Sequence, residues 1–222
     1  MKLFKDRYII TPRKIGSGGH GSVFVAIHKK TQQQLACKIV NLDLDSSDED
    51  IDYDSRREDS PKSKLRQALR AASRQKRRQD ALAKHFREFD VIKDLYHPNI
   101  IKLQKVFWSF NTLYIFQELI TGGDLFSFIE SKGGNGATDV EAAVIIRQVL
   151  KGVEYLHDRD IVHRDLKPDN VLMTAKSADA RVIITDFDAA RFIPDASQEQ
   201  ERNVPAKRRM ISVVGTYEFC AP

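Results

Sequence analysis

The chain has 222 residues, enough for one large domain or two small lobes with a real buried core. Its 41% hydrophobic and 30% charged residues exclude disordered and collagen-like classes, and no apolar run approaches the length that crosses a bilayer, so no membrane partner is expected. The net charge of +5 is mild and unevenly placed, and it carries little weight as evidence for nucleic acid.

The first residues, Lys2, Lys5, Asp6 and Arg7 among them, carry charge too early and too densely for a signal-peptide core. From Tyr8 to Val40 short strand-like runs alternate with turn residues: Tyr8-Ile9-Ile10, Ser22 to Ala26, and Leu35 to Val40. This predicts a meander of antiparallel strands. Residues 43 to roughly 80 then break the pattern, acidic and serine-rich first, strongly basic from Lys62 to Arg78. They read as an exposed, poorly ordered insertion whose basic, Ala-rich half is helical.

Helical spacing begins by Leu82 and continues through Phe86, Phe89, Ile92 and Leu95 to a stop at His97-Pro98-Asn99. Ile100 to Val106 and Leu113 to Phe116 read as strands. Asp124 to Ile129 reads as a helix, and Asp139 to His157 as a long one with Val144, Ile145, Val149, Val153 and Leu156 inward. A small sheet lobe followed by a helical lobe is an α+β plan. The two cysteines, Cys37 and Cys220, lack metal-ligand spacing, which predicts a reducing compartment and argues against a disulfide framework or a zinc site.

Gly16-Ser17-Gly18-Gly19-His20-Gly21-Ser22-Val23 fits G-x-G-x-x-G-x-V between two predicted strands. Glycines there let backbone N–H groups approach phosphate without a Cβ in the way. A flexible hairpin is the bland alternative, and a dinucleotide fingerprint needs a helix where Val23-Phe24-Val25 predicts a strand. Lys38 sits on a strand, and Glu88 on the helix one turn before Ile92 is its candidate partner. The strongest signal is His163-Arg164-Asp165-Leu166-Lys167-Pro168-Asp169-Asn170. It brings a carboxylate base, a cation two residues on and a metal-binding amide three further on, the functions that phosphoryl transfer gathers around one γ-phosphate. Thr185-Asp186-Phe187, after the strand Arg181 to Ile184, adds a second metal-binding carboxylate.

On these motifs the chain resembles the eukaryotic serine/threonine protein kinase family from about Tyr8 to its end. The resemblance implies a two-lobe kinase fold, with an N-lobe over 8–120 holding the charged insertion 43–80 and a partial C-lobe over 121–222. It implies ATP and Mg²⁺ as cofactors and protein Ser/Thr hydroxyls as substrates. Asp165 would orient the substrate hydroxyl and Lys167 would stabilise the transferring phosphoryl group. Asn170 and Asp186 would hold Mg²⁺, and Lys38 with Glu88 the α/β-phosphates. Gly16, Gly18 and Gly21 would cover the phosphates, while Val23, Ala36 and Leu172 would line the base. Glu118 and Ile120 would offer backbone hydrogen bonds to adenine, and Asp124 would meet the ribose. Asp-Leu-Lys-Pro-x-Asn is the serine/threonine form of the loop, and Gly215 to Pro222 resembles the family's G-T-x-x-[FY]-x-A-P-E segment. His97 to Ile101 and Glu118 to Phe126 look most like the calmodulin-dependent/checkpoint group. Ser212, between Asp186 and Pro222 and preceded by Arg208 and Arg209, is the candidate activating phosphosite, with Arg164 to pair its phosphate.

Two departures stand out. Asp188 occupies the place where the family has glycine, which predicts a stiffer loop with more negative charge and altered regulation. The chain ends at Pro222, before the family's glutamate and later helices, so the lower lobe is expected to leave apolar surface uncovered. The alternative function is an inactive kinase homologue serving as a nucleotide-binding or scaffold module. A third reading makes Lys62 to Arg78 a nucleic-acid contact, but that segment lacks interleaved aromatics. Arg74 to Arg78 also fits a nuclear import signal, so the expected location is cytoplasmic, nuclear or both.

Overall fold

The computed structural model describes residues 4–18, 21–41, 89–109 and 112–193, with scattered helical positions between 69 and 83. Two compact units emerge, residues 1–86 with 105–116 and residues 87–104 with 117–222.

The first unit is built on a sheet. A single 3₁₀ turn, Phe4–Asp6, precedes β1 (Tyr8–Gly18), β2 (Gly21–His28), β3 (Gln34–Asn41), β4 (Leu103–Ser109) and β5 (Thr112–Glu118), in spatial order β1-β2-β3-β5-β4. The first three strands pair antiparallel, as their alternation predicts. β1 is an edge strand, and its register shifts between Ile10 and Lys14 around Pro12. Proline has no N–H to give a ladder, so an irregular edge is where it fits. Phe4, Ala26, Leu35, Cys37 and Phe116 form this unit's core, and Tyr8, Phe107 and Tyr114 pack onto it. Phe4 lies 4.2 Å from the Tyr114 ring centroid.

The second unit carries α1 (Leu125–Ser131), α2 (Asp139–His157), and the short strands β6 (Ile161–Val162), β7 (Val171–Met173), β8 (Val182–Ile184) and β9 (Arg191–Phe192). Thr138 starts α2 with a capping box: its Oγ1 accepts from Glu141 N at 3.3 Å while Glu141 Oε2 accepts from Thr138 N at 3.0 Å. Lys132 Nζ, 2.6 Å from Glu141 Oε1, holds that carboxyl below its usual range together with the Thr138 bonds. Ile145, Val149 and Leu156 bury one face of α2, which packs on β8 and β6. β7 and β8 pair antiparallel, as do β6 and β9.

Two boundaries and the exposure of one residue stand out against the sequence reading. The helix of Ile92 ends there and not at His97: Leu95 N reaches back only to Ile92 O, a tightened last turn, and Leu95 is buried beyond it. β4 begins at Leu103, not Ile100. Residues 99–101 instead pair with β8, with Ile184 N bonded to Asn99 O and Ile101 N to Ile184 O, because Ile100 and Ile101 are buried in the second unit's core. Val144 is 40% exposed rather than inward. Val140, Ile146 and Leu150 are exposed as well, so α2 is apolar on its outer face too. The described positions of the basic insertion half, Leu69, Ala72, Ser73, Gln75 and Lys76, are helical, while its acidic half lies outside the described residues.

Candidate active site

The loop after β6 is held by its own polar side chains. His163, 5% exposed, points Nε2 at Thr185 O at 2.9 Å, and its Nδ1 faces Asp165 N at 3.4 Å. The carbonyl accepts and the amide donates, so the ring is the neutral Nε2–H tautomer. Burial holds His163 below the ordinary imidazole value of 6.5, against the opposing pull of Thr185 O, Asp186 and Asp165. Its ring also meets Phe187 edge-on, with centroids 4.8 Å apart. Arg164 takes a left-handed φ of 66°, a conformation that costs a non-glycine residue about 1–3 kcal/mol unless its surroundings impose it. Here its Nε donates to Ala189 O at 2.7 Å.

Asp165, Lys167 and Asn170 come together. Asn170 Nδ2 donates to Asp165 O at 2.8 Å and to Asp165 Oδ2 at 3.1 Å, and Lys167 Nζ lies 3.5 Å from the same Oδ2. Two donors thus fix the orientation of the Asp165 carboxylate. Because the Asn170 nitrogen faces Asp165, its amide oxygen lies on the other side of the group. Asn170 itself is 6% exposed, and its carbonyl accepts from Thr185 N at 2.9 Å, which ties the loop to the end of β8.

Asp186 follows β8 with a φ of 60°, the second left-handed side-chain residue of the site. Phe187 is buried to 1%, and a turn closes from Phe187 O to Ala190 N at 2.9 Å. Neither Asp188 nor Ala189 at its centre takes a positive φ, so this turn does not require the glycine of the family pattern. Asp188 is buried, and Arg164 grips the same turn through Ala189.

Asp186 and Asn170 supply a carboxylate and an amide oxygen, hard donors of the kind Mg²⁺ takes. Among the described residues no group of three or more His, Cys, Asp or Glu side chains forms a metal cage.

In the same unit, Glu118 N donates to Lys102 O at 3.0 Å, so at this residue only the carbonyl is left for a base. Ile120 packs against the unit's core. Asp124 caps α1, accepting from Ser127 N at 2.7 Å and Ser127 Oγ at 3.1 Å. It also bridges Leu172 of β7. Gly122 is a close-approach position: a Cβ there would stand 2.4 Å from Met173 O.

The first unit holds the glycine turn and Lys38. Gly16 pairs with Val23 and Gly18 with Gly21 across the β1–β2 hairpin, while Val23 also pairs with Lys38 of β3. Gly21 has φ +130°, and a Cβ there would fall 2.2 Å from Ile39 O. Its glycine is therefore required by the neighbouring strand, whatever it does for phosphate. Ala36 is buried beside Cys37, whose thiol burial pushes up to about 12. Glu88 and Ser212 lie outside the described residues.

Sequence reasoning overlooked His163 as the scaffold of the loop and Arg181 as a partner of Glu118. His163 stood inside a motif read for its acid and cation. Arg181 stood 63 positions from Glu118, with no local pattern to join them.

A family model described as protein kinase domain matches residues 59–222. The meiosis-specific serine/threonine-protein kinase mek1 of Schizosaccharomyces pombe is 32% identical over 219 residues, 98% of this chain and 39% of that protein. The meiosis-specific serine/threonine-protein kinase MEK1 of Saccharomyces cerevisiae is 34% identical over 220 residues, 98% of this chain and 36% of that protein. Calcium/calmodulin-dependent protein kinase type 1 of Macrobrachium nipponense is 41% identical over 105 residues, 47% of this chain and 30% of that protein. The chain thus spans 39% or less of the length of these three curated relatives. With the family model covering most of the chain and two relatives above 30% identity aligned over nearly all of it, this chain belongs to the protein kinase domain family.

Proposed function

We propose that the protein transfers the γ-phosphate of ATP to serine and threonine hydroxyls of other proteins. The observation that carries this reading is the convergence of Lys167 and Asn170 on Asp165 Oδ2, next to a strand end that delivers Asp186. Asp165 orients the substrate hydroxyl and takes up its proton as the oxygen attacks the γ-phosphorus, while the bond from that phosphorus to the β–γ bridging oxygen breaks and ADP leaves. Lys167 balances charge on the transferring group. Asn170 and Asp186 hold Mg²⁺, which when bound neutralises the phosphate oxygens. From the first unit, Gly16, Gly18 and Gly21 cover the phosphates, Lys38 pairs with them and with Glu88, and Val23 and Ala36 face the base. From the second unit, Leu172 faces the base, Glu118 O and the Ile120 backbone bind adenine, and Asp124 meets the ribose while capping α1. Ser212 is the activating phosphosite in this scheme; undiminished activity of Ser212→Ala after phosphatase treatment argues against that role. The same reading locates the protein in the cytoplasm, the nucleus or both.

The test is phosphate transfer from radiolabelled ATP to a generic protein substrate, beside Asp165→Asn. Removing the base is expected to lower the rate about 10²- to 10⁴-fold at unchanged nucleotide binding. Nucleotide binding with no transfer by the unaltered protein favours the second reading, a nucleotide-binding scaffold, for which Asp188 is the specific motive.

A further inference from the structure

Glu118 has its main-chain N–H and both carboxylate oxygens engaged, by segments distant in sequence. Its N donates to Lys102 O at 3.0 Å, its Oε1 accepts from Lys102 N at 3.0 Å, and its Oε2 accepts from Arg181 Nη2 at 2.7 Å. Arg181 stands one residue before β8, and its other terminal nitrogen donates to Pro98 O at 3.1 Å. The Glu118 side chain is 18% exposed and the Arg181 side chain 40%, so the pair is half-buried, with the carboxylate its better-covered end. Four and five residues on, the same segment is fastened a second time. Gly122 N donates to Met173 O at 2.9 Å and Met173 N to Gly123 O at 2.8 Å.

Both fastenings reach one small sheet. Met173 ends β7 and Arg181 leads into β8, and the two strands pair through Val171↔Ile184, Leu172↔Ile183 and Met173↔Val182. That sheet is flanked by Asn170 just before β7 and Asp186 two residues past β8. Residues 118–123 are therefore clamped at each end to the element that carries Leu172 and delivers the metal-binding side chains.

We propose that Arg181 is a positioning residue: its ion pair with Glu118 sets the base-binding segment 118–123 against the β7–β8 sheet and thereby tunes nucleotide affinity without touching nucleotide. Without the ion pair the Glu118 end keeps its two bonds to Lys102, and neither of these ties it directly to the β7–β8 sheet. The ion pair is charge-assisted and directional, and a lysine, with one nitrogen to give, can satisfy Glu118 or Pro98 O but not both in the same geometry. This rests on the ATP reading above.

The test uses the whole protein with Mg·ADP as the probe, and amide hydrogen exchange over residues 119–123 as an independent readout. Arg181→Met and Glu118→Gln are each expected to weaken Mg·ADP binding about tenfold, with the double variant no worse than either single one. Arg181→Lys recovers part of the affinity, and exchange at 119–123 quickens about fivefold in Arg181→Met. Losses that add in the double variant, or a lower melting temperature with wild-type affinity and wild-type exchange, overturn the proposal and leave a merely structural bridge. Faster exchange at unchanged affinity overturns it as well. Should the unaltered protein bind no Mg·ADP, the ATP reading fails by itself, and the exchange comparison still decides whether Arg181 holds the segment.

Discussion

Gly21 separates two explanations that sequence motifs merge. A glycine in a phosphate-loop pattern is ordinarily credited to the ligand, yet here the side-chain position is filled by Ile39 O. Gly21→Ala therefore combines a disfavoured φ with a backbone collision, and should destabilise the nucleotide-free protein by about 1–3 kcal/mol. Chemical denaturation without ligand measures this, and unchanged stability would return the glycine to a purely phosphate-binding role. Asp188 teaches the opposite lesson. The family pattern expects glycine, but the turn it sits in has negative φ at both central positions, so the backbone accepts aspartate without strain in this state. The residue types of Asp165, Lys167, Asn170 and Asp186 were legible because their chemistry and spacing are local. The left-handed backbone at Arg164 and Asp186 was not, since neither side chain favours it and the surrounding bonds impose it.

At the scale of elements, α2 was readable to its ends, Asp139 and His157, and the structure adds a capping box of Thr138 with Glu141 at its start. Thr138→Ala removes the acceptor for Glu141 N and the Oγ1 donor to Glu141 Oε2, while the backbone N of residue 138 keeps its bond to that carboxylate. The expected cost is about 1 kcal/mol, read as a lower urea midpoint at constant slope. Strand starts were less legible. Ile100 and Ile101 are apolar enough to open β4, but tertiary burial assigns them to β8 in the second unit, and local propensity holds no record of that choice. The same limit hid the outer face of α2, where Val144 fits the helical spacing of the apolar positions and is nevertheless exposed.

For the whole molecule, the α+β class followed from composition and period, since sheet-like alternation gives way to helical spacing along the chain. The pairing of distant polar residues did not follow, because it depends on the folded path. One consequence is global stability against acid. His163 and His97 are both held below 6.5, His163 chiefly by burial and His97 by burial with Lys151 and Arg159 nearby. As pH falls through 6.5 the unfolded chain takes up these protons first, so stability is full above that value and declines toward the lower folded values. A denaturation series from pH 7.5 to about 5 should show this loss, and His163→Gln should flatten it. A slope untouched by that substitution would mean that other groups carry it.

The bond from Glu118 N to Lys102 O has a consequence for nucleobase choice. With its N–H already committed, this residue can meet a base only as an acceptor, so on the ATP reading the edge of a base that reaches its carbonyl must bring a hydrogen. Adenine carries an exocyclic amine at its six-position; guanine carries an oxygen there, and two acceptors would face each other. On the ATP reading, an acceptor that a bound base covers and leaves unmet costs about 1–3 kcal/mol, which predicts roughly a five- to 150-fold preference for adenine nucleotides over guanine nucleotides in a direct competition. The discrimination originates in a main-chain bond to Lys102, a residue that itself contacts no base in this scheme.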